Sequence, residues 1–145
     1  MTIFLGKTIK GDGRGRELGF PTINISLSHE ENASELYENS GVFIVELNLI
    51  TTDNFRFIGL LHLGSRPTFN EKEFRIEIFV LEKLSARITK FSKNKILSAL
   101  QNVQEKSEIS FLIKKKIREV VRFTSAEKLV EQINKDVKTA YKFYE

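Results

Sequence analysis

The segment "GDGRGRELGFPTIN", Gly11 to Asn24, gathers groups suited to holding phosphate. Glycines at 11, 13, 15 and 19 let backbone N–H groups come close to an anion, because no Cβ stands in the way. Arg14 and Arg16 bring guanidinium groups, whose flat fork matches phosphate oxygens. Thr22 and Asn24 follow, two residues apart, so an extended chain places both neutral oxygens on one side. That donor set suits Mg²⁺, which keeps several waters and takes few protein ligands when phosphates complete its shell. Pro21 stiffens the approach to Thr22. The same composition also describes a solvated turn that runs into a strand. The segment is no Walker P-loop, since the Gly-Lys-Ser/Thr ending is missing, and no βαβ unit surrounds it as a dinucleotide fingerprint requires.

Other reactive side chains are few. Glu77 lies among apolar residues in "FRIEIFVLE", where an unpaired carboxylate is costly. By itself it reads more readily as an ordinary outward-facing strand residue than as a base. His29 falls in a polar segment, and His62 within a strand pattern reads as structural; two histidines so far apart give no metal-ligand spacing. With no cysteine, the chain has no disulfide, thiolate nucleophile or zinc–cysteine site. The run "KKKIR", Lys114 to Arg118, is a nucleic-acid patch or a solvated strand end, and the second is the plainer account. The net charge of +4 fits an anionic partner or simply a lysine-rich surface, so it decides nothing.

These residues need a scaffold, and the hydrophobic pattern supplies one. "TIFLGKTIK" reads as a first strand. "GVFIVELNLI" (Gly41–Ile50) alternates, and "FRFIGLLHL" (Phe55–Leu63) follows a "TTDN" turn as its hairpin partner. "FRIEIFVLE" (Phe74–Glu82) puts Phe74, Ile76, Ile78 and Val80 on one face and Arg75, Glu77, Phe79 and Leu81 on the other. "EISFLIKKK" (Glu108–Lys116) is a further strand. The ending changes period: after a Thr124-x-x-Glu127 capping box, Leu129, Val130, Ile133, Val137, Ala140, Tyr141 and Tyr144 recur at helical spacing. A second helical stripe, Ile96, Leu97, Leu100 and Val103, lies within Ser92–Val103. Short antiparallel strands with one covering helix predict a small β-barrel. At 145 residues, 41% hydrophobic and 29% charged, the chain is expected to form one domain, residues 1–145. No apolar run reaches membrane-spanning length and no cleavage-site pattern opens the chain, so a cytoplasmic monomer without membrane or nucleic-acid partners is expected.

The order of residues says more than their composition. "GKTIKGDGRGRELGFPTINI" resembles the N-terminal signature of the riboflavin kinase family at Gly11, Arg14, Gly15, Arg16, Leu18, Gly19, Phe20, Pro21, Thr22 and Asn24. "GVFIVEL", "IGLLHLGSRPTF" (Ile58–Phe69), "RIEIFVLE" and the tail "IREVVRFTSAEKLVEQINKDVKTA" resemble later blocks of that family, in the same order. The resemblance implies a mainly β fold, a six-stranded antiparallel Greek-key barrel with a C-terminal helix. It implies transfer of the ATP γ-phosphate to the 5′-hydroxyl of riboflavin, giving FMN, with Mg²⁺ or a similar divalent metal. Carried over by position, Gly11, Arg14, Gly15, Arg16, Gly19 and Pro21 cover the nucleotide phosphates, Thr22 and Asn24 bind metal and phosphate, Glu77 is the catalytic base, and Arg118 lies on the flavin side. The chain departs from the family in three places: Lys83–Ser107 stands where a short loop is usual, which predicts an insertion at 83–107; Val120 replaces a Glu; and His62 replaces an Asn. The basic charge, the altered loop and Val120 motivate an alternative, a catalytically impaired barrel of kinase ancestry that binds flavin or RNA. A barrel for single-stranded nucleic acid would need aromatic platforms among basic residues, and Phe55–Arg56–Phe57 is the one such cluster. Many bacterial relatives carry an adenylyltransferase domain; no His-x-Gly-His motif is present, and a stand-alone enzyme and a piece of a longer one both remain open.

Overall fold

The structure, a computed structural model, describes residues 3–11, 21–27, 36, 38–50, 55–64, 75–103 and 105–145. Strict alternation in Ile3–Ile9 (β1) sends Phe4 inward and Ile3, Leu5 and Ile9 outward. Thr22–Leu27 (β2), Gly41–Leu49 (β3), Arg56–Gly64 (β4), Arg75–Val80 (β5) and Glu108–Arg118 (β6) complete a closed antiparallel barrel in the order β1-β2-β5-β4-β3-β6. The expected hairpin partners are indeed paired, Phe43 opposite Leu61 and Leu47 opposite Phe57. The "TTDN" turn lies outside the described residues.

Two apolar clusters hold the barrel. The inner one fills the lumen with Ile23, Ile25, Phe43, Val45, Leu61, Ile76, Ile78, Ile109 and Phe111, among others. The outer one joins Val42, Ile44, Ile58, Leu60 and Phe79 to the helices. β3 is therefore apolar on both faces, as a strand covered on both sides must be. Ala126–Phe143 (α3) lays Leu129, Ile133, Val137, Ala140, Tyr141 and Tyr144 on this outer wall. Its cap is one residue later than the capping box suggested: Ser125 accepts from the Lys128 N–H at 3.2 Å. Adjacent hydroxyl residues make that register ambiguous in sequence.

Among its described residues, the segment 83–107 contains two helices. Strand β5 stops at Val80, and Glu82–Thr89 (α1) starts where the hydrophobic pattern had continued the strand to Glu82. The Leu81 N-cap contributes no side-chain bond, so nothing in the sequence marks the start. Ser85, fully buried, fastens α1 to the barrel. Its hydroxyl accepts from Ile58 N at 2.8 Å and donates to Ile58 O at 3.2 Å, just past the end of β5, where the Leu81 N–H also donates to Ile58 O at 2.9 Å. Lys93–Gln101 (α2) begins at Ser92, as expected, and inserts Ile96 into the inner cluster, with Ala99, Leu100 and Val103 packed beside it and Leu97 half-buried. Phe91 meets Phe55 with ring centroids 5.2 Å apart. The stripe thus packs onto the barrel core.

Candidate functional site

Pairing register assembles the site. Asn24 on β2 stands directly opposite Glu77 on β5, and Thr22 opposite Phe79. On its other flank Glu77 faces His62 of β4, His62 faces Val42 of β3, and Val42 faces Arg118 of β6. Opposed residues of antiparallel strands share a face. Ile23, Ile76 and Ile78 fill the lumen, so Asn24, Glu77 and His62 lie on the outer wall, the face that also carries Phe79 and Val42. A polar row therefore crosses three adjacent strands.

Glu77 is 2% exposed although it points away from the lumen, and Asn24 is 8% exposed. A carboxylate so shielded has a strong electrostatic reach and needs partners; it has them in the structure. Gly11 packs against the Asn24 amide so closely that a Cβ there would lie 2.0 Å from Nδ2. The first glycine of the loop thus makes room for a side chain thirteen residues later. Pro21, before β2, accepts a bond from Val80 N at 2.8 Å, which ties the strand carrying Glu77 to the segment leading into Thr22. Thr22 is half-buried. Gly11, Pro21, Thr22, Asn24 and Glu77 are brought together. Arg14, Gly15, Arg16 and Gly19 lie outside the described residues.

Arg118 sits three inter-strand steps from Glu77, roughly 14 Å along the wall at about 4.8 Å per step. Two irregularities in the β3–β6 ladder bring it opposite Val42, a place Lys116 would otherwise take. Its Nε donates to both carboxylate oxygens of Asp136, at 3.0 and 2.9 Å, and Gln132 donates to Asp136 at 2.9 Å. Burial pushes the Asp136 carboxyl above its usual range, against the lowering by Gln132 and by the Arg118 charge. This pair pins α3 to β6. Lys114 pairs with Glu46 at 3.5 Å and Lys116 with Glu119 at 2.6 Å, so the "KKKIR" run is largely matched by local carboxylates.

Two neighbours of the candidate site residues escaped the sequence reading. His62 was read as structural, and only the β4–β5 register shows that it flanks Glu77. Asp136 interrupts the apolar stripe of α3, and its i, i+4 relation to Gln132 was the available signal.

A filled lumen with a polar row on the outer wall describes an antiparallel barrel whose candidate site lies outside the lumen. The family model for riboflavin kinase (flavokinase) matches residues 2–144, and the chain belongs to that family. It is 32% identical to the bifunctional riboflavin kinase/FMN adenylyltransferase of Buchnera aphidicola, over 96% of this chain and 38% of that protein. It is also 32% identical to the RNA-binding riboflavin kinase RibR of Bacillus subtilis, over 100% of this chain and 52% of that one. The chain spans about two fifths to one half of the length of these relatives. In fold it is similar to a riboflavin kinase from Trypanosoma brucei, with a TM-score of 0.61 at 18% identity, over 97% of this chain and 75% of that one. A Streptococcus pneumoniae structure titled a macrolide-efflux protein is similar over 96% of this chain and 38% of that one, with a TM-score of 0.65 at 20% identity.

Proposed function

We propose that this chain transfers the ATP γ-phosphate to the 5′-hydroxyl of riboflavin, giving FMN and ADP. The observation that carries the reading is the buried Glu77 carboxylate held directly across from Asn24, in a chain that matches the riboflavin kinase family from end to end. Glu77 accepts the proton of the ribityl hydroxyl as its oxygen bonds to the γ-phosphorus and the bond to the ADP oxygen breaks. Phosphoryl transfer asks mainly for placement and charge neutralisation. Gly11 and Pro21 belong to the loop that places the phosphates, with Arg14, Gly15, Arg16 and Gly19 completing it.

The donor set fits a divalent cation. Thr22 and Asn24 offer neutral oxygens on one face, and among the described residues no three His, Cys, Asp or Glu side chains cluster as an all-protein metal site. Thr22 and Asn24 would hold Mg²⁺, with phosphate and water as its other ligands. When bound, the ion would neutralise phosphate charge. Arg118, anchored by Asp136, is the residue we assign to the flavin side. We read the protein as a cytoplasmic monomer of one domain, with 83–107 as its insertion; among the described residues no helix is long and apolar enough to cross a membrane.

A second reading follows from the relative named as RNA-binding: a barrel that binds flavin or RNA without turnover. The pairing of Lys114, Lys116 and Arg118 with carboxylates leaves little free positive charge on that strand and favours the kinase. Incubating the purified protein with riboflavin and Mg-ATP and separating flavins chromatographically tests the choice. FMN formation supports the kinase; flavin or RNA binding without FMN supports the alternative.

A further inference from the structure

We infer that His62 is a positioning residue for Glu77; this rests on the riboflavin kinase reading of the site. The ring stands on the strand next to Glu77 and on the same face, so the carboxylate is flanked by Asn24 on one side and His62 on the other. Directly opposed side chains start about 4.5–5.5 Å apart at Cβ, within reach of an imidazole and a glutamate. Both residues are engaged in interactions in the structure. His62 is half-buried, whereas the outward residues Ile58 and Leu60 of β4 belong to the cluster that packs on the helices.

The chemistry follows from the inventory of groups. A carboxylate that serves as base must present one oxygen to the substrate hydroxyl, and a free glutamate side chain samples many rotamers. A ring N–H donated to the second oxygen fixes which oxygen is presented. Asn24 can donate an amide N–H to one oxygen of Glu77 while its carbonyl oxygen faces the metal–phosphate unit, so the second carboxylate oxygen is left for a donor on the opposite flank. His62 occupies it. The ring touches neither phosphate nor metal in this scheme and acts through Glu77 alone.

The test compares His62→Phe, which keeps a ring and loses the donor, with His62→Asn, which keeps a short donor. Wild type, both variants, Glu77→Gln and the His62→Phe/Glu77→Gln double variant are assayed for FMN formation, and their melting is recorded. In His62→Phe, kcat is expected to fall roughly 10–100-fold, a share of the ~10²–10⁴-fold that a placed base supplies. The KM values for riboflavin and Mg-ATP should stay near wild type, His62→Asn should recover most of kcat, and His62→Phe should add nothing in the Glu77→Gln background. Wild-type kcat in His62→Phe overturns the inference, and so does a loss of equal size in both backgrounds or one that tracks a lowered melting temperature. A wild-type protein that makes no FMN sinks the kinase reading itself, a result distinct from all of these.

Discussion

Gly11→Ala adds one methyl group at the point where the loop meets β2, and its effect can be worked out. The added Cβ would lie 2.0 Å from Asn24 Nδ2, 2.7 Å from Cγ and 3.2 Å from Oδ1, while ordinary contact begins at 3.4 Å. The amide must therefore retreat by about 1.4 Å, the difference between 3.4 and 2.0. The φ of Gly11 lies outside the left-handed region, so the backbone itself accepts alanine and the collision is the only obstacle. Asn24 ends in a rotatable amide, which makes the movement cheap for folding and damaging for a ligand. Misplacement by about 1 Å costs on the order of 10²-fold in rate, or ~2.7 kcal/mol of barrier. The expected result is a kcat about 100-fold lower, a raised Mg²⁺ requirement and little change in melting. Riboflavin affinity, read from fluorescence quenching, should be retained. Asn24→Ala should reproduce the same pattern. FMN formation in Gly11→Ala within a few-fold of wild type, at an unchanged Mg²⁺ requirement, would refute the proposed role of Asn24.

Glu77→Gln should lower kcat by ~10²–10⁴-fold while riboflavin and ATP still bind, and near-normal turnover would show that Glu77 is not the base. Ser85→Ala leaves the buried Ile58 N–H without its partner, which costs about 1–3 kcal/mol, and the melting temperature should fall by roughly 4 °C per kcal/mol with kcat preserved. An unchanged melting curve would mean that water or another group replaces the hydroxyl. The Tyr144 phenol is pushed up to about 12, first by burial and then by the Glu46 charge. Its hydroxyl is buried without a hydrogen bond of normal geometry, so the carboxylate acts on it mainly through its charge. Because the folded value exceeds the unfolded ~10, the stabilising contribution is complete below pH ~10 and is lost as pH rises towards about 12. Ultraviolet titration of wild type against Tyr144→Phe should remove the component that ionises near 12, and loss of one near ~10 instead would contradict the burial.

The strands were legible because a barrel wall writes itself as alternation. The inward set Ile76, Ile78 and Val80 and the outward set Glu77 and Phe79 came straight from β5, whereas β3 read as alternating and its second apolar face, Val42 and Ile44, emerged only with the outer cluster. Helix α3 was legible from its stripe. Helix α1 was not, because it follows β5 after one residue with no capping side chain, and Leu81 and Leu84 continue the apolar signal. At the site, the residue types of Thr22, Asn24 and Glu77 were readable as candidate chemistry. Juxtaposition was not: Asn24 meets Glu77 across fifty residues of chain, and His62 joins them through a register that no local pattern encodes. The partner of Arg118 was hidden for a related reason, since a buried Asp136 looks like any exposed acid on a helix until β6 is placed beneath it.

The filled lumen divides the labour among neighbouring positions of a single strand. Along β5, Ile76 and Ile78 answer to the interior while Glu77, between them, is the residue we propose as the base. Drift in catalytic power and drift in foldability can therefore proceed on separate tracks, one residue out of phase. A descendant could lose every reactive group of the outer row and still fold, leaving an intact barrel free to take up other work. Conversely, exhaustive substitution of β2 and β5 should yield two interleaved profiles, abundance falling at one set of positions and FMN output at the set between them.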